Sequence, residues 1–250
     1  MTALTAPQVL AYEKTAADLA VKIFADGADR ESMLASYANP LVSGFTTNPT
    51  LMRQAGVSDY RAFAHDIVAA IPDRHISFEV FSDEFDDMER QAHEIATWGE
   101  NGYAKIPVSN TKGEVSYDLV HRLSQDGVKV NVTAIFLLDQ VREVAAAVEG
   151  GAPCCVSVFA GRIADAGLDY MPVMAESVEL LASNPQAELI WASPREVYNV
   201  VQADSIGCHI ITCTSDIIKK LPTLGKELGQ FSLETVQIFY ADATAAGYSL

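Results

Sequence analysis

The sequence is short of basic residues and of cysteines, and it contains no long apolar run. Its 17 Lys and Arg residues face 33 Asp and Glu residues, so the 250-residue chain carries a formal net charge of −16. Binding of nucleic acid through general electrostatics needs a basic face, which this composition does not provide. No apolar stretch approaches the roughly 20 residues that span a membrane. We therefore expect neither a nucleic-acid partner nor a membrane partner.

The few cysteines and the amino terminus both bear on the cellular compartment. The cysteine spacing matches no common zinc pattern, so we expect no metal site and four buried thiols. Glu13 and Lys14 interrupt the amino-terminal segment, which lacks the basic start and apolar run of a secretory signal. We expect a reducing, cytoplasmic location. The cysteines are Cys154, Cys155, Cys208 and Cys213.

Short β-rich runs alternate with longer segments whose apolar residues recur at helical spacing. This alternation predicts an α/β fold, a (β/α)8 barrel. The alternative is an open doubly wound sheet, which would want a Gly-rich phosphate loop after the first strand, and Phe24-Ala25-Asp26-Gly27 is not one. The predicted strands are 21–27, 43–49, 75–81, 102–108, 129–136, 154–161, 188–193 and 208–214.

No low-complexity linker and no internal repeat divides the chain. With 49% hydrophobic residues it can bury a sizeable core. We therefore expect one barrel domain over residues 1–250. Residues 1–20 form an amino-terminal extension, with a helix at about 7–20, and residues from about 232 to 250 form a last helix and tail.

Polar residues recur at or near the carboxyl ends of the predicted strands, where barrels of this kind carry their chemistry. Each of them alone has a structural interpretation, as a turn residue, a salt-bridge partner, a small core residue or an outward-facing strand residue. Their convergence on one end of nearly every strand favours a site. They are Asp26, Thr46, Thr47, Asn48, Glu79, Lys105, Asn131, Thr133, Ser157, Arg162, Ser193 and Arg195.

Lys105 lies inside the apolar strand segment Gly102–Val108. It alternates with residues of an aliphatic face that suits covering helices, so it is predicted to point into the barrel. An outward lysine with its stem packed under a helix is the alternative. A buried ammonium is costly, which favours a neutral, nucleophilic amine that can form a Schiff base with a ketone.

Two carboxylates complete this chemistry. A protonated imine withdraws electrons, so that a neighbouring carbon–carbon bond breaks when a base takes a hydroxyl proton. Asp26, at the end of the first strand, is the candidate base. Glu79, with Thr133 as a hydroxyl partner, is the candidate proton shuttle for loss of water from the carbinolamine.

A phosphate site is predicted after the sixth and seventh strands. Two guanidinium groups and a hydroxyl, those of Arg162, Arg195 and Ser193, suit a dianion. Barrels of this type often hold phosphate in their late-strand loops. The alternative is that an arginine pairs with Asp165 or Glu196 at the rim.

The chain resembles the transaldolases, within the class I Schiff-base aldolases that include short fructose-6-phosphate aldolase-like members. The resemblance covers most of the chain, because the motifs span strands one to seven in the right order and the last one fits the eighth. They are FADGAD (24–29), GFTTNPTL (44–51), YAKIPV (103–108), NVTAIF (131–136), VFAGRIAD (158–165), WASPR (191–195) and GCHIITCT (207–214).

The resemblance implies a role for each candidate residue. Lys105 corresponds to the Schiff-base lysine, Asp26 to the acid/base, and Glu79 with Thr133 to the pair that handles the catalytic water. It further implies transfer of a dihydroxyacetone unit from sedoheptulose 7-phosphate or fructose 6-phosphate to glyceraldehyde 3-phosphate or erythrose 4-phosphate, with no metal or organic cofactor. Asn48, Asn131 and Ser157 would hold the dihydroxyacetone unit, and Arg162, Ser193 and Arg195 the phosphate.

Departures from the family pattern leave other activities open. The first-strand motif ADGAD lacks the usual Thr or Ser, and Pro194 stands where an apolar or aromatic residue is usual, so an aldolase acting on another anionic sugar is an alternative. Fructose-6-phosphate aldolases tend to carry Gln and Tyr where this chain has Glu79 and Phe159, which favours transfer over release of free dihydroxyacetone. A catalytically silent barrel that serves binding or assembly is the remaining alternative.

The last helix bears on assembly. Short members of the family commonly form rings through this helix, so the resemblance implies a homo-oligomer of decamer-like form. The alternative is that the helix packs on its own barrel. The apolar residues available for either contact are Phe231, Leu233, Val236, Phe239 and Tyr240.

Overall fold

The computed structural model describes residues 14–248, and within them eight parallel strands close into a barrel in chain order. This confirms the predicted (β/α)8 fold, and each strand lies within its predicted segment or one residue beyond it. The strands are β1 (Lys22–Asp26), β2 (Val42–Thr46), β3 (His75–Glu79), β4 (Gly102–Pro107), β5 (Val130–Ile135), β6 (Cys154–Val158), β7 (Ala187–Trp191) and β8 (Ile210–Cys213).

Helices cover the outside of the barrel and return the chain from one strand to the next. Side-chain caps set the start of several of them, and Asp29 and Asp59 accept from the backbone amides of Ser32 and Ala62. The helices between residues 14 and 248 are α1 (Arg30–Tyr37), α2 (Pro49–Gln54), α3 (Tyr60–Ala70), α4 (Phe85–Ala96), α5 (Tyr117–Gln125), α6 (Leu138–Ala147), α7 (Ala160–Asp165), α8 (Met171–Leu181), α9 (Tyr198–Ser205), α10 (Ser215–Lys220) and α11 (Leu228–Ala245).

Strand alternation sorts the side chains between two cores. On β4, Ala104 and Ile106 are buried in the layer between strands and helices. Tyr103 belongs instead to the cluster inside the barrel, and Lys105, two residues further along, faces the same way. The predicted orientation of Lys105 is therefore confirmed, and the outward-facing alternative is wrong.

The barrel interior changes character along its axis. Phe24, Cys155, Ile190 and Ile210 fill its lower part as a compact apolar cluster. Toward the carboxyl ends of the strands, hydroxyl, amide, carboxylate and ammonium groups replace the apolar side chains. The apolar plug closes the bottom of the barrel, so the polar end forms a cavity that opens on one side.

Strand β5 departs from regular pairing at its carboxyl end. Its register with β6 shifts between Val132 and Ile135, and Ala134 within that interval has a φ of 60°. A positive φ is strained for a residue with a side chain. The resulting bulge redirects the end of β5, where Thr133 lies.

The ends of the chain differ from the sequence prediction. The sequence predicts a helix at about 7–20, and residues 7–13 of it lie outside the described residues. Residues 14–20 contain only a short 3-10 turn at Ala16–Asp18, so the prediction of a helix is wrong for that part. The last helix is confirmed as α11, which begins earlier than predicted, and residues 249–250 also lie outside the described part.

Helix α11 has no buried residue along its described length, which disagrees with the alternative that it packs on its own barrel. Several large apolar side chains on it are more than half exposed, among them Val236 (60%), Phe239 (68%) and Tyr240 (76%). An exposed apolar helix of this length is typical of an interaction surface.

All four cysteines are buried free thiols, as predicted. Among residues 14–248 we find no helix with the length and apolar character needed to cross a bilayer.

Candidate active site

A cavity of about 560 Å³ opens at the carboxyl ends of the barrel strands. Nine of the eleven predicted site residues line it, whereas Asn131 and Arg195 do not. Those that line it are Asp26, Asn48, Glu79, Lys105, Thr133, Ser157, Phe159, Arg162 and Ser193.

Lys105 projects from β4 into this cavity and is only 6% exposed. Its Nζ lies 2.9 Å from Oε2 of Glu79, the residue paired with Lys105 on the adjacent strand β3. The same Nζ donates a hydrogen bond to the carbonyl oxygen of Thr47 at 3.0 Å. The amine is therefore held in one place beside a carboxylate that can accept its proton.

Asp26 ends β1 on the opposite side of the cavity. Burial raises the pKa of this carboxyl, and the charge of Lys105 and a hydrogen bond from Thr46 oppose that rise in part. Thr46 Oγ1 donates to Asp26 Oδ1 at 2.8 Å, and it lies 2.5 Å from Thr212 Oγ1, which must then be the donor in that pair. Two threonine hydroxyls thus orient a carboxyl group whose pKa is raised by burial.

Thr133 is 2% exposed, and its Oγ1 is a buried polar atom without a hydrogen-bond partner among the described residues. An unsatisfied buried hydroxyl is costly, so one that lines a cavity is typical of a group that binds water or substrate. It lies within the interval of β5, between Val132 and Ile135, where the register with β6 shifts. The strained backbone and the unsatisfied hydroxyl therefore lie at the same point of the cavity.

Ser157 and Asn131 form a hydrogen-bonded pair beneath the cavity floor. Ser157 Oγ donates to Asn131 Oδ1 at 2.7 Å, and Asn131 is fully buried. Ser157 lines the cavity but Asn131 does not. Asn131 therefore contacts Ser157 but does not itself line the cavity.

Asn48 and Phe159 reach the cavity from the starts of two helices. Asn48 is the N-cap of α2, where its Oδ1 accepts from the backbone amide of Leu51 at 3.0 Å. This bond leaves the side-chain amino group of Asn48 for the cavity. Phe159 precedes α7, and its ring centroid lies 5.8 Å from that of Phe136.

The predicted phosphate site divides into two parts. The guanidinium carbon of Arg162 lies 5.5 Å from the ring centroid of Phe159, and within residues 14–248 it forms no ion pair. Arg195 instead forms a salt bridge with Asp165 through two guanidinium nitrogens. Of the two arginines, only Arg162 faces the cavity, and the rim pairing that was the alternative is observed for Arg195.

The loop that carries Ser193 and Arg195 is held in place from two sides. Asn199 Oδ1 accepts from the backbone amide of Arg195 at 2.7 Å. On the other side, a Cβ added to Gly161 would lie 1.6 Å from the carbonyl oxygen of Ser193. Ser193 itself has a φ of 63°, a strained value for serine.

Sequence reasoning missed four contributors to this geometry. They are Thr212 as a partner of Thr46, Asn199 as the support of the loop, and Ala134 and Ser193 as strained backbone positions. Alternation along β8 could have indicated that Thr212 faces inward. The other three depend on loop and bulge geometry, for which the sequence carries no local signal.

Within residues 14–248, no cluster of three or more His, Cys, Asp or Glu side chains is placed to hold a metal ion. The groups that do meet in the cavity include one amine, two carboxylates, one guanidinium and several hydroxyls. A lysine amine beside a proton acceptor can form a covalent imine with a carbonyl compound. A second carboxylate across the cavity can then move a proton on the bound molecule.

Comparison with known proteins finds a matching family and named relatives. A sequence model of the family described as transaldolase/fructose-6-phosphate aldolase matches residues 23–249. A protein of Dehalococcoides mccartyi named "Probable transaldolase" is 32% identical over 202 residues, covering 80% of this chain and 90% of that protein. One of Roseiflexus castenholzii with the same name is 33% identical, over 80% of this chain and 88% of its own.

Among solved structures, a 2,3-dimethylmalate lyase is similar with a TM-score of 0.53. The superposition covers 93% of this chain and 86% of the lyase, and the two sequences are 14% identical. At that identity the similarity concerns the barrel fold alone.

Proposed function

The chain belongs to the transaldolase/fructose-6-phosphate aldolase family, and we propose that it is a transaldolase acting through a Schiff base on Lys105. The donor would be a ketose phosphate such as sedoheptulose 7-phosphate or fructose 6-phosphate. The acceptor would be an aldose phosphate such as glyceraldehyde 3-phosphate or erythrose 4-phosphate. The observation that carries this proposal is the buried Lys105 amine, 2.9 Å from Glu79, in a cavity shared with Asp26.

Imine formation starts with Lys105 and Glu79. The amine must be neutral to attack the ketone carbon, and the Glu79 carboxylate is positioned to accept its proton. The resulting carbinolamine loses its hydroxyl as water when a proton is returned. The Thr133 hydroxyl, which has no partner among the described residues, suits the binding of that water.

Carbon–carbon cleavage then depends on Asp26. Its carboxylate takes the proton of the hydroxyl on the carbon that forms the departing end of the breaking bond, and that oxygen becomes the carbonyl oxygen of the departing aldose. The electrons of the broken bond move into the iminium and leave a neutral enamine on Lys105. In the second half of the reaction the enamine carbon attacks the acceptor aldehyde, and Asp26 returns the proton to the new alkoxide.

The phosphate group of the substrate would bind at the mouth of the cavity. Arg162 and Ser193 line this part, and the Arg162 guanidinium makes no competing ion pair among residues 14–248. A guanidinium and a hydroxyl together can hold a phosphate through charge-assisted hydrogen bonds. Arg195 would join them only after leaving Asp165.

Phe159 favours group transfer over release of free dihydroxyacetone. An enamine is released when an acid protonates its carbon. A tyrosine at this position would supply such an acid, whereas the Phe159 ring cannot. The enamine would therefore persist until an acceptor aldehyde enters.

The exposed apolar surface of α11 supports a homo-oligomer built through this helix. Changing Phe239 to Glu would introduce a charge into that surface and should lower the oligomer mass measured by light scattering. Leu137→Glu, at a similarly exposed apolar residue outside α11, is the matched control. A monomeric wild-type protein would contradict this part of the proposal.

Borohydride trapping tests the proposed reaction. The protein is incubated with fructose 6-phosphate, reduced, digested and mapped by mass spectrometry. A three-carbon adduct on Lys105, absent from Lys105→Met, is the expected result, because reduction converts the imine to a stable secondary amine. A folded wild-type protein that stays unmodified with fructose 6-phosphate and with sedoheptulose 7-phosphate would refute the transaldolase proposal and favour a silent barrel.

A further inference from the structure

A chain of hydrogen bonds runs inside the barrel from its base to the cavity floor. His75 Nε2 lies 2.6 Å from Ser77 Oγ, and Asn131 Nδ2 donates to the same oxygen at 2.9 Å. Ser157 Oγ then donates to Asn131 Oδ1 at 2.7 Å. Ser77 and Asn131 are fully buried, and Ser157 is 2% exposed. The family resemblance gives Ser157 a role in holding the dihydroxyacetone unit but assigns nothing to His75 or Ser77.

The direction of each bond follows from the number of protons available. Ser77 has one hydroxyl proton, and its oxygen already accepts from Asn131. Donation to His75 Nε2, the other neighbour of this hydroxyl among the described residues, is the arrangement that gives the proton an acceptor. A ring nitrogen that accepts carries no proton, so the neutral imidazole of His75 is protonated at Nδ1.

The same logic fixes the polarity at the cavity end. Ser157 uses its single proton on Asn131, so it has only lone pairs to offer the cavity. If His75 were protonated at Nε2, Ser77 would accept from it and donate to Asn131. The amide would then turn over, and Ser157 would point its proton into the cavity.

We propose that His75 is a positioning residue, which acts through Ser77 and Asn131 to fix Ser157 as a hydrogen-bond acceptor for a hydroxyl group of the bound ketose. The ligand class follows from this polarity, because a hydroxyl of a sugar can donate to such an oxygen and a carbonyl oxygen cannot. This inference rests on the proposed function for its substrate. It also gives Asn131 a supporting role beneath the sugar.

The surroundings of His75 suit an acceptor. Its ring is stacked on Tyr103, with centroids 3.7 Å apart and an angle of 12° between the planes, and the edge of Phe24 packs against it. Burial, with the nearby charges of Lys22 and Lys129, lowers the pKa of His75 to about 3. The imidazole is thus held in one orientation and stays neutral at ordinary pH.

Nitrogen NMR of 15N-histidine-labelled protein tests the polarity without any substrate. The His75 signals, assigned with a His75→Gln sample, should show the proton on Nδ1 near neutral pH. A proton on Nε2 would reverse the chain and overturn the proposal.

Kinetics of three variants test the effect on the sugar. His75→Phe removes the acceptor, and Ser77→Ala removes the next link with little change in volume. Both should raise KM for fructose 6-phosphate on the order of tenfold, with a smaller change in kcat. His75→Gln, whose side-chain oxygen can replace Nε2, should restore KM, which a loss of packing alone would not allow.

Tyr103→Phe is the matched control, because it keeps the stacked ring and lies outside the hydrogen-bond chain. Its KM should equal that of the wild type. If wild type forms the trapped adduct but Ser77→Ala and His75→Phe keep a normal KM, the positioning role is overturned alone. If wild type forms no adduct with any ketose phosphate, the proposed function fails, and the role in sugar binding fails with it.

Discussion

Lys105 and Glu79 face each other from paired positions on β4 and β3, with Nζ 2.9 Å from Oε2. The sequence alone suggested a lysine whose burial disfavours its charge. The structure shows that the Lys105 ammonium is paired with the Glu79 carboxylate. We therefore expect proton transfer from Lys105 to Glu79 to be the first step of the reaction. Stability and reactivity therefore depend on the same two side chains.

Removing one member of this pair should destabilise the protein. Lys105→Met leaves the largely buried Glu79 carboxylate without its cation, and we expect the free energy of unfolding in urea to fall by about 3–5 kcal/mol. Adding Glu79→Gln to Lys105→Met should recover most of this loss, because the uncompensated charge is gone. Strictly additive effects of the two substitutions would show that the pair is not coupled.

Thr133→Val should separate activity from stability. The hydroxyl has no partner among the described residues, so its replacement by a methyl group should leave the unfolding free energy unchanged or slightly higher. If the hydroxyl holds the catalytic water, kcat should fall by about 10²-fold or more. Thr46→Val is the comparison, since it removes a hydroxyl bonded to Asp26 and should cost stability as well. A fully active Thr133→Val would contradict the water-binding role.

Phe159→Tyr should shift the reaction from transfer toward release. The new phenol hydroxyl can protonate the enamine, so free dihydroxyacetone should form from fructose 6-phosphate without an acceptor aldehyde. A coupled dehydrogenase assay measures that product. Phe159→Leu keeps an apolar side chain without a hydroxyl and should release no more than the wild type. Equal release by both variants would mean that access of water, not an acid, controls the outcome.

The pH dependence of turnover should depend on Asp26. Burial raises the pKa of its carboxyl, and the group must be ionised to act as a base, so activity should fall as the pH drops through a value above the usual aspartate pKa of about 4. Asp26→Asn should lower kcat by about 10²–10⁴-fold. A profile whose acid limb is the same in Asp26→Asn would assign that limb to another group.

The raised pKa of Asp26 also predicts how the stability of the protein changes with pH. Between the unfolded pKa and the higher folded pKa, the folded protein holds one proton more than the unfolded chain. Raising the pH through this interval therefore lowers the free energy of unfolding. Comparison of wild type with Asp26→Asn at several pH values isolates this contribution, and the variant should lose it.

Asp165→Asn should make Arg195 available to the substrate. Without the carboxylate, the guanidinium is free to turn toward a phosphate beside Arg162. KM for fructose 6-phosphate should fall by about threefold, in keeping with the small energy of an exposed ion pair, while that for fructose should not change. If Asp165→Asn and Arg195→Met both keep the wild-type KM, Arg195 takes no part in binding.

Patterns along the sequence predicted the barrel and most of the site, because both depend on alternation. Tyr103, Lys105 and the apolar residues between them sort by the period of two that any strand imposes. Once Lys105 is known to face inward, parallel pairing brings Glu79 and Asn131 beside it. Polar residues at strand ends must then meet at the mouth of the barrel.

The parts that could not be predicted depend on geometry between distant segments. The sequence allows an arginine to pair with Asp165 or Glu196 or to bind phosphate, and no local pattern decides that Arg195 pairs with Asp165, 30 positions before it, while Arg162 does not. Ala134 carries no residue-type signal for its positive φ, since alanine is not a turn former. The hydrogen-bond direction through Ser77 likewise depends on His75, at the far end of the barrel from the cavity.

The close approach of Gly161 to Ser193 has a mechanical consequence. With no side chain between them, the start of α7 and the loop after β7 form one stiff wall, and a methyl group there would force them apart. If a bound anion displaces Arg162, we therefore expect Ser193 to be displaced with it. Asn48 and Gln54, which line the same cavity from α2 and its cap, are not part of this contact.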